Sequence, residues 1–317
     1  MKKITAALLC CLSVLCGSAS AMAAYPDHPI TVICPFGAGS GSDRIFRTAL
    51  PYIQEALGVD VVIDYKAGGG GVVGSNYFMT VKPDGYTLLF YTQPHISLQE
   101  RFTRVAFGNS KLAPVLGLSF RPDIITVRED SPFKSFQDLL DYAKANPGKL
   151  TIGNTGSFSI NHLTYAQLVK ETQAKFIRVP FENGGKMNAA LLGGQIDACI
   201  SNMQWLAVYP GKIRALSTSA AERPNPDLPT FKEMGYPGMV DLAAIDVLCA
   251  RSDVPEDILN VLREKLAPLS KNEQLKADFE KAQIDYGAFD WKYMENFISG
   301  LESKISSVED VLKNTLN

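Results

Sequence analysis

Short apolar runs alternate with amphipathic segments along most of the chain after residue 29. The runs are rich in β-branched and aromatic side chains, which is typical of buried strands. Strands are predicted at Ile30–Pro35, Asp60–Tyr65, Thr87–Tyr91, Ile124–Arg128, Leu150–Gly153, Phe176–Pro180, Asp197–Ser201 and Ile213–Thr218. Helical patterns lie between most of these strands, and region 255–315 is predicted to be rich in helix. Strands that alternate with helices indicate an α/β fold with mainly parallel sheet.

Two segments have the character of connections between lobes. Leu112–Pro122 is an apolar run that ends in Arg121 and Pro122, and residues 222–238 are rich in proline and glycine. The chain is therefore predicted to form one lobe from residues 24–122 plus 227–317 and another from residues 123–226. A chain that leaves a lobe and returns to it makes two connections, as a hinge between lobes requires.

The first 23 residues have the pattern of a secretory signal peptide. Lys2 and Lys3 precede the apolar segment Ile4–Cys16, and Ala21–Ala23 is a small-x-small cleavage site. Because no later stretch is apolar enough to span a bilayer, the mature protein is predicted to be soluble and periplasmic. The full chain has a formal charge of −2, and removal of a segment with two lysines and no acids leaves about −4. This charge argues against a nucleic-acid partner.

Three of the six cysteines lie after the predicted signal peptide: Cys34, Cys199 and Cys249. All three sit in apolar runs, and there is no C-x-x-C motif or Cys/His cluster. No metal site is predicted. Two interpretations remain for the cysteines, namely three buried thiols or one disulfide between two of them.

A glycine-rich loop, Phe36–Asp43, follows the first predicted strand and opens a helix. Such a junction presents unpaired backbone N–H groups and the positive end of a helix dipole, which suit an anion. Gly37, Gly39 and the later Asp64 nearly fit a dinucleotide-binding fingerprint, but Ser42 stands where its third glycine belongs. Secretion also places the protein where free NAD is scarce. A purely structural turn is the other alternative, and an anion-binding loop is favoured over both.

A second loop of the same type, Gly153–Ser159, lies in the other predicted lobe between a strand and a helix. Thr155 and Ser157 offer hydroxyl groups, and Gly156 allows close approach of a ligand to the backbone. Two such loops, one in each lobe, predict a grip on opposite ends of one small acid. Gly68–Gly71 and Asn183–Gly185 either line the same cleft or form plain turns.

Catalytic motifs are missing from the sequence. It contains no nucleophile elbow, zincin motif or P-loop, and its three histidines are dispersed. The protein is therefore not expected to be an enzyme or to need a cofactor. Gln93 and His95, at the end of a predicted strand, are candidates for ligand contact, whereas His162 is interpreted as a packing or capping residue. Asp246 lies in an apolar run, so it is either paired or faces the cleft.

Eight sequence segments occur in the order typical of one protein family. These segments are Tyr25–Pro29, Pro35–Asp43, Pro83–Leu89, Ala143–Leu150, Val179–Phe181, Gly193–Asp197, Arg214–Leu216 and Leu228–Gly235. On these segments the chain resembles the periplasmic solute-binding receptors of tripartite tricarboxylate transporters, also called Bug receptors. The resemblance covers nearly all of the chain after the signal peptide.

The resemblance implies a type II periplasmic-binding-protein fold with a ligand cleft between two lobes. It also implies capture of a small organic acid by hinge closure and delivery to a large and a small membrane subunit. No cofactor is expected, and the receptor is expected to be a monomer. The residues expected to contact the ligand are Phe36, Gly39, Ser40, Ser42, Asp43, Gln93, Thr155, Gly156, Ser157, Asn202 and Asp246.

The chain departs from the family pattern at two places that bear on the ligand. The first glycine loop lacks the proline that is usual there, and Asp246 lies where the family usually has no acid. An added acid disfavours a polyanionic ligand or recognises a cationic group. The ligand is therefore not named from the sequence. A sensory receptor with a signalling partner is an alternative function, and a secreted α/β enzyme is a weaker one.

Overall fold

The computed structural model describes residues 25–316. The predicted signal peptide, residues 1–23, lies outside this range. The strands are β1 (Ile30–Cys34), β2 (Val61–Tyr65), β3 (Thr87–Gln93), β4 (Leu112–Pro122), β5 (Ile124–Arg128), β6 (Thr151–Thr155), β7 (Ile177–Phe181), β8 (Ala198–Ser201), β9 (Ile213–Thr218), β10 (Ala243–Arg251) and β11 (Ala288–Asp290). They form a six-stranded sheet in the order β11-β4-β10-β3-β1-β2 and a five-stranded sheet in the order β7-β6-β8-β5-β9. An α/β fold with two lobes is thereby confirmed.

Helices pack against both sheets. They are α1 (Gly41–Leu57), α2 (Val72–Phe78), α3 (His95–Phe102), α4 (Phe136–Ala145), α5 (Ile160–Thr172), α6 (Gly184–Leu192), α7 (Gln204–Val208), α8 (Glu256–Leu266), α9 (Glu273–Lys281), α10 (Trp291–Ser307) and α11 (Glu309–Asn314). Short 3₁₀ turns occur at Gly69–Gly71, Asn109–Lys111, Pro237–Met239 and Ala267–Lys271. Within residues 25–316, none of the helices combines the length and apolarity that crossing a membrane requires.

Both sheets are mixed, so the prediction of mainly parallel sheet was wrong. Strands β1 and β3 are parallel, but β10 is antiparallel to both β3 and β4. In the second sheet β5 is antiparallel to β8 and to β9. The strands β5, β10 and β11 cause this, because each runs opposite to the other strands of its sheet. Of these three, β10 was seen in the sequence only as an apolar run.

Two neighbouring connections lead from a strand of one sheet to a strand of the other. Only Asp123 separates β4 from β5, and the segment from Ser219 to Leu242 leads from β9 back to β10. The N–H of Asp123 donates to the carbonyl of Leu242 at 3.1 Å, and the N–H of Ser219 donates to the carbonyl of Asp123 at 2.8 Å. The two connections are therefore hydrogen-bonded to each other.

The C-terminal residues pack against the helical layer of the second sheet. Leu301, Ile305 and Leu312 belong to the same apolar cluster as the helix α5 side chains. The guanidinium of Arg178 donates to the carbonyl of Thr315 at 2.5 Å. The structure thus brings residues 301–315 to the sheet formed by residues 124–218, while the predicted residue limits of the two lobes stay a prediction.

The three cysteines after the signal peptide are buried and unpaired. Burial raises the pKa of the Cys199 and Cys249 thiols to about 12. Each thiol therefore behaves as a small apolar group in its core, and of the two alternatives the structure has the buried thiols.

Candidate ligand-binding cleft

A cavity of about 730 Å³ lies between the two sheets. Its size is within the range of sites that bind small molecules. The first sheet contributes the loop after β1, the 3₁₀ turn at Gly69–Gly71 and residues of β3, β4 and β10. The second sheet contributes the loops after β6 and β8 and the start of α6. A molecule in this cavity contacts both sheets at once.

The loop after β1 brings the N-terminus of α1 to the cavity. Ser40 is the N-cap of this helix, and its hydroxyl accepts a hydrogen bond from the N–H of Asp43 at 3.2 Å. The N–H groups of Gly41 and Ser42 have no partner within residues 25–316, and both residues line the cavity. The helix dipole adds positive potential at this end. The loop can therefore bind an anion without a cationic side chain.

The buried side chain of Asp43 stabilises this loop by hydrogen bonds. Its carboxylate accepts hydrogen bonds from the N–H of Gly39 at 2.7 Å, from the Tyr65 hydroxyl at 2.5 Å and from Arg47 Nε at 3.0 Å. Burial opposes ionisation of Asp43, but these hydrogen bonds outweigh it and hold the pKa of the carboxyl below its usual value. Gly39 has φ +80°, a left-handed conformation that glycine adopts without strain.

The loop after β6 brings a second helix N-terminus to the opposite wall. Ser159 is the N-cap of α5 and accepts from the N–H of His162 at 3.2 Å. The hydroxyl of Thr155 donates to the side-chain oxygen of Asn161 at 2.5 Å, so it remains free to accept from a ligand. The side chain of Ser157 lines the cavity and has no partner within residues 25–316. This loop thus offers hydrogen-bonding groups that carry no charge.

Asp246 lies behind the cavity wall, at the centre of a dense hydrogen-bond network. Its Oδ1 accepts from the hydroxyl of Ser42 at 2.8 Å and from that of Thr92 at 2.6 Å. Its Oδ2 accepts from the hydroxyl of Ser119 at 3.2 Å and from Arg121 Nη1 at 2.5 Å. The side chain of Asp246 is 0 % exposed. All its partners are donors, so the buried charge is paired.

Arg121 carries the positive charge of the inner cavity. It lies near the end of β4, its side chain is 17 % exposed, and it lines the cavity. Burial lowers the pKa of nearby His95 to about 4. The positive charge of Arg121 also lowers this pKa, whereas the carboxylate of Asp246 raises it. His95 is therefore neutral at pH 7. Arg44 also lines the cavity, but its exposed side chain donates to the carbonyl of Ala282 at the rim.

Apolar side chains complete the two walls. Trp205, at the start of α7, lines the cavity opposite Phe36, whose ring packs on Tyr91 with 5.5 Å between centroids. Trp205 fits because position 184 is glycine, where an added Cβ would lie 2.6 Å from the indole ring. The two walls therefore combine apolar surface with a few polar groups, as ligand sites usually do.

The sequence pattern of the tripartite tricarboxylate transporter family receptor (TctC) matches residues 45–308, which is most of the chain. The chain belongs to this receptor family. The family resemblance predicted from the sequence is confirmed. The members of this family are periplasmic solute-binding receptors.

Individual relatives agree with this assignment. A Cupriavidus necator protein, described as a UPF0065 protein in the gbd 5′ region, is 32% identical over 236 residues, which cover 73% of this chain and 72% of the relative. A TctC solute-binding protein from Polaromonas has a TM-score of 0.76 and 25% identity, covering 89% of this chain and 99% of its own. A Rhodopseudomonas palustris protein with adipate has a TM-score of 0.73 and 25% identity, covering 91% of this chain and 97% of its own. The predicted two-lobed periplasmic-binding-protein fold is confirmed.

Seven of the predicted ligand contacts lie in the cavity wall of this receptor. They are Phe36, Ser40, Ser42, Thr155, Gly156, Ser157 and Asn202. The side-chain oxygen of Asn202 is buried and has no partner within residues 25–316. Ligand contact by these residues stays a prediction.

The other four predicted contacts do not reach the cavity surface. Gly39 is exposed on the loop but outside the cavity wall, and its N–H donates to the buried carboxylate of Asp43. Asp246 is enclosed by its donors. Gln93 is fully buried on the other face of β3, where its Nε2 donates to Asn109 at 2.7 Å. Because neighbouring residues of a strand point to opposite faces, Thr92 reaches the cavity and Gln93 does not.

Arg121 and Trp205 line the cavity but were not among the predicted contacts. The sequence shows Arg121 only as the polar end of an apolar run, and its partner Asp246 lies 125 residues away. Trp205 follows the predicted ligand contact Asn202 in the sequence, and this proximity of an aromatic residue was the signal that could have located it in the cavity. His162 lies outside the cavity wall, with its Nε2 2.8 Å from the Thr315 hydroxyl. Residues 25–316 contain no cluster of His, Cys, Asp or Glu that could hold a metal ion.

Proposed function

We propose that this chain is an extracytoplasmic receptor that captures a small organic acid and delivers it to the membrane subunits of a tripartite transporter. The observation that carries the proposal is the cavity between the sheets, to which both sheets bring a helix N-terminus. Two N-termini that face one cavity favour a ligand with anionic or strongly polar groups. The adipate in the Rhodopseudomonas palustris relative is a ligand of this kind.

Capture would proceed by closure of the two lobes about the crossings at Asp123 and Ser219–Leu242. A ligand held by the loop after β1 and the loop after β6 links the lobes and stabilises the closed state. Each hydrogen bond to a carboxylate contributes about 1.5–3 kcal/mol, so four to six of them support roughly micromolar binding after the cost of ordering. This mechanism requires no covalent chemistry, and the receptor would act as a monomer in the periplasm.

Thermal denaturation of the protein without residues 1–23 tests the proposal. The test set is dicarboxylates, tricarboxylates, aromatic acids and amino acids, with NAD and a simple ester as probes of the enzyme alternative. A ligand at 1,000 times its Kd adds about 4 kcal/mol to the free energy of unfolding. A shift with at least one acid is expected. A shift with NAD or the ester, and with none of the acids, would contradict the proposal.

Transport and signalling require the same closed receptor, so they differ only in the partner. The two membrane subunits can be reconstituted in vesicles. The acid that raises the melting temperature is then added outside the vesicles with the receptor, and its uptake measures delivery directly. Uptake that depends on the added receptor is expected. Binding without uptake would favour the sensory alternative.

A further inference from the structure

We propose that Arg121, held in place by Asp246, contacts the ligand and makes this receptor prefer a monocarboxylate whose remaining polar groups are uncharged. The proposal rests on the proposed function and narrows its substrate class. Relevant observations are the backbone around Arg121, its free hydrogen-bond donors, the charges near the cavity and the groups on the opposite wall.

An irregularity in the sheet places Arg121 at the cavity. In the register of β4 and β10, Ala244 pairs with Arg121 but Asp246 pairs with Leu118, so two residues of β4 lie opposite one residue of β10. This is a β-bulge, which redirects side chains from the regular alternation. Ser119 lies within it at φ +59°, a left-handed conformation that is uncommon for a residue other than glycine. An unfavourable backbone conformation at Ser119 therefore accompanies the bulge that turns the side chain of Arg121 toward the cavity.

The bulge also supplies part of the support for the guanidinium. The Ser119 hydroxyl donates to Asp246 and accepts from Arg121 Nη1, and the same Nη1 donates to Asp246. Arg121 Nε and Nη2 have no partner within residues 25–316, although the side chain is partly exposed to the cavity. The planar guanidinium is thus fixed through one nitrogen and keeps donors for a carboxylate.

The charges around Arg121 limit the ligand to one negative charge. Arg44 and Arg121 line the cavity, but so do Glu182 and Asp285, and Asp246 lies directly behind Arg121. Glu182 is paired with Lys186 at the surface. The positive charge of Arg121 is therefore already largely balanced by Asp246. One ligand carboxylate can be bound at Arg121. The other arginine of the wall, Arg44, is exposed and donates to the carbonyl of Ala282, and a second carboxylate would be opposed by the acids Glu182 and Asp285 of the same wall.

The opposite wall suits uncharged polar groups. The side-chain oxygen of Asn202 is a buried acceptor that no group of residues 25–316 pairs, and Ser157 offers a hydroxyl. An unpaired buried acceptor gains most from a neutral donor such as an amide or hydroxyl of the ligand. A carboxylate placed against Asn202 Oδ1 would instead bring two acceptors together.

Isothermal titration with matched probes tests the proposal. The probes are adipate, its monoamide adipamate and its diamide adipamide, together with succinate, succinamate and succinamide, so that size is constant within each set. In at least one set the wild type is expected to bind the monoamide about 10-fold more tightly than the dicarboxylate or the diamide. Arg121→Gln should weaken the monoamide about 10- to 100-fold and leave the diamide within about 3-fold. Arg121→Lys should recover part of the loss because the charge returns without the planar geometry.

Two variants test the role of the acids behind Arg121. Asp246→Asn should lower the preference for monoamide over dicarboxylate, because the charge of Arg121 is no longer balanced. If that variant does not fold, Asp285→Asn serves the same purpose, since Asp285 lies in the cavity wall and outside the Asp246 network. Arg128→Gln, which removes a surface arginine paired with Asp130, is the matched control and should leave all six affinities unchanged.

The outcomes separate this inference from the proposed function. A wild type that binds the dicarboxylates most tightly, or an Arg121→Gln variant that keeps the preference for the monoamide, would overturn the inference alone. If no carboxylate probe binds the wild type while a neutral diamide does, both the acid receptor and the role of Arg121 are overturned.

Discussion

Asn161 links the crossing at Asp123 to the ligand loop after β6. Its amide Nδ2 donates to the Asp123 carboxylate at 2.7 Å, and its Oδ1 accepts from the Thr155 hydroxyl. Asp123 is itself hydrogen-bonded through its backbone to Leu242 and Ser219 on the second crossing. A change at Asp123 is therefore transmitted to a wall of the cavity through a single intermediate side chain.

The first prediction concerns the pH dependence of stability. Burial raises the pKa of Asp123 to about 7, and the hydrogen bond from Asn161 and the charge of Arg121 only partly offset this. Because the unfolded chain loses this proton near pH 4, the group lowers the free energy of unfolding as pH rises from about 4 to about 7, by about 4 kcal/mol. Asp123→Asn should remove this loss, so the variant should be more stable than the wild type at pH 8 but not at pH 4.

Chemical denaturation at several pH values measures this effect. Asp285→Asn is a useful comparison, because burial also raises the pKa of Asp285 but no backbone crossing depends on it. Stability profiles of the wild type and Asp123→Asn that run parallel between pH 4 and pH 8 would show that Asp123 is ionised in the native protein.

The second prediction concerns Asp43, whose ionisation stabilises the fold, whereas that of Asp123 destabilises it. Its pKa is held below the unfolded value, so its stabilising effect is present above about pH 4 and is lost as pH falls through the native pKa. Asp43→Asn should lower the free energy of unfolding at pH 7 by about 1–3 kcal/mol, because three donors lose their charged acceptor. The difference from the wild type should shrink at pH 3. A difference that does not change with pH would mean that packing, and not charge, is responsible.

The third prediction concerns the contact between Gly184 and Trp205. Gly184→Ala should displace the indole, because the new Cβ would lie 2.6 Å from the ring. We expect weaker binding of the acid and a change in tryptophan fluorescence, measured in a Trp291→Phe background so that Trp205 is the single emitter. Gly185→Ala is the control, since its Cβ stays 4.0 Å from the indole. Equal effects of the two substitutions would point to the start of α6 and not to the indole.

The fourth prediction concerns Ser157. Its hydroxyl has no partner among the described residues 25–316, so Ser157→Ala should leave the melting temperature of the free protein unchanged within error. Loss of one hydrogen bond should weaken the bound acid about 10-fold. Calorimetry of the variant beside Ser303→Ala, which removes an exposed hydroxyl of α10, measures both quantities. Unaltered affinity in Ser157→Ala would remove this residue from the site.

Local sequence patterns located most of the elements. The predicted strands at Ile124–Arg128 and Ile213–Thr218 have the bounds of β5 and β9, and the strand predicted from Ile30 is β1. The loops before α1 and α5 were located as well, because glycine, serine and strand ends mark them within a few residues. Both helix N-termini that line the cavity were therefore predictable from the sequence.

Relationships between distant residues could not be obtained in this way. The antiparallel pairing of β10 with β4 depends on the chain returning after more than a hundred residues, and a local run of apolar residues has no direction. For the same reason Asp246 was recognised as unusual, but its partner Arg121 was not. Gln93 lies outside the cavity wall because β3 extends to this residue, beyond the predicted strand end at Tyr91, and neighbouring residues of a strand point to opposite faces.

The hydrogen bonds between the two crossings have a mechanical consequence. Two separate connections could each twist independently, but the backbone bonds that join Asp123 to Ser219 and Leu242 make them bend together. We expect the lobes to rotate about a single axis through this point, with little sideways shear. Such a hinge would give the receptor two well-separated shapes, and the shape that is populated would depend on whether the cavity is filled.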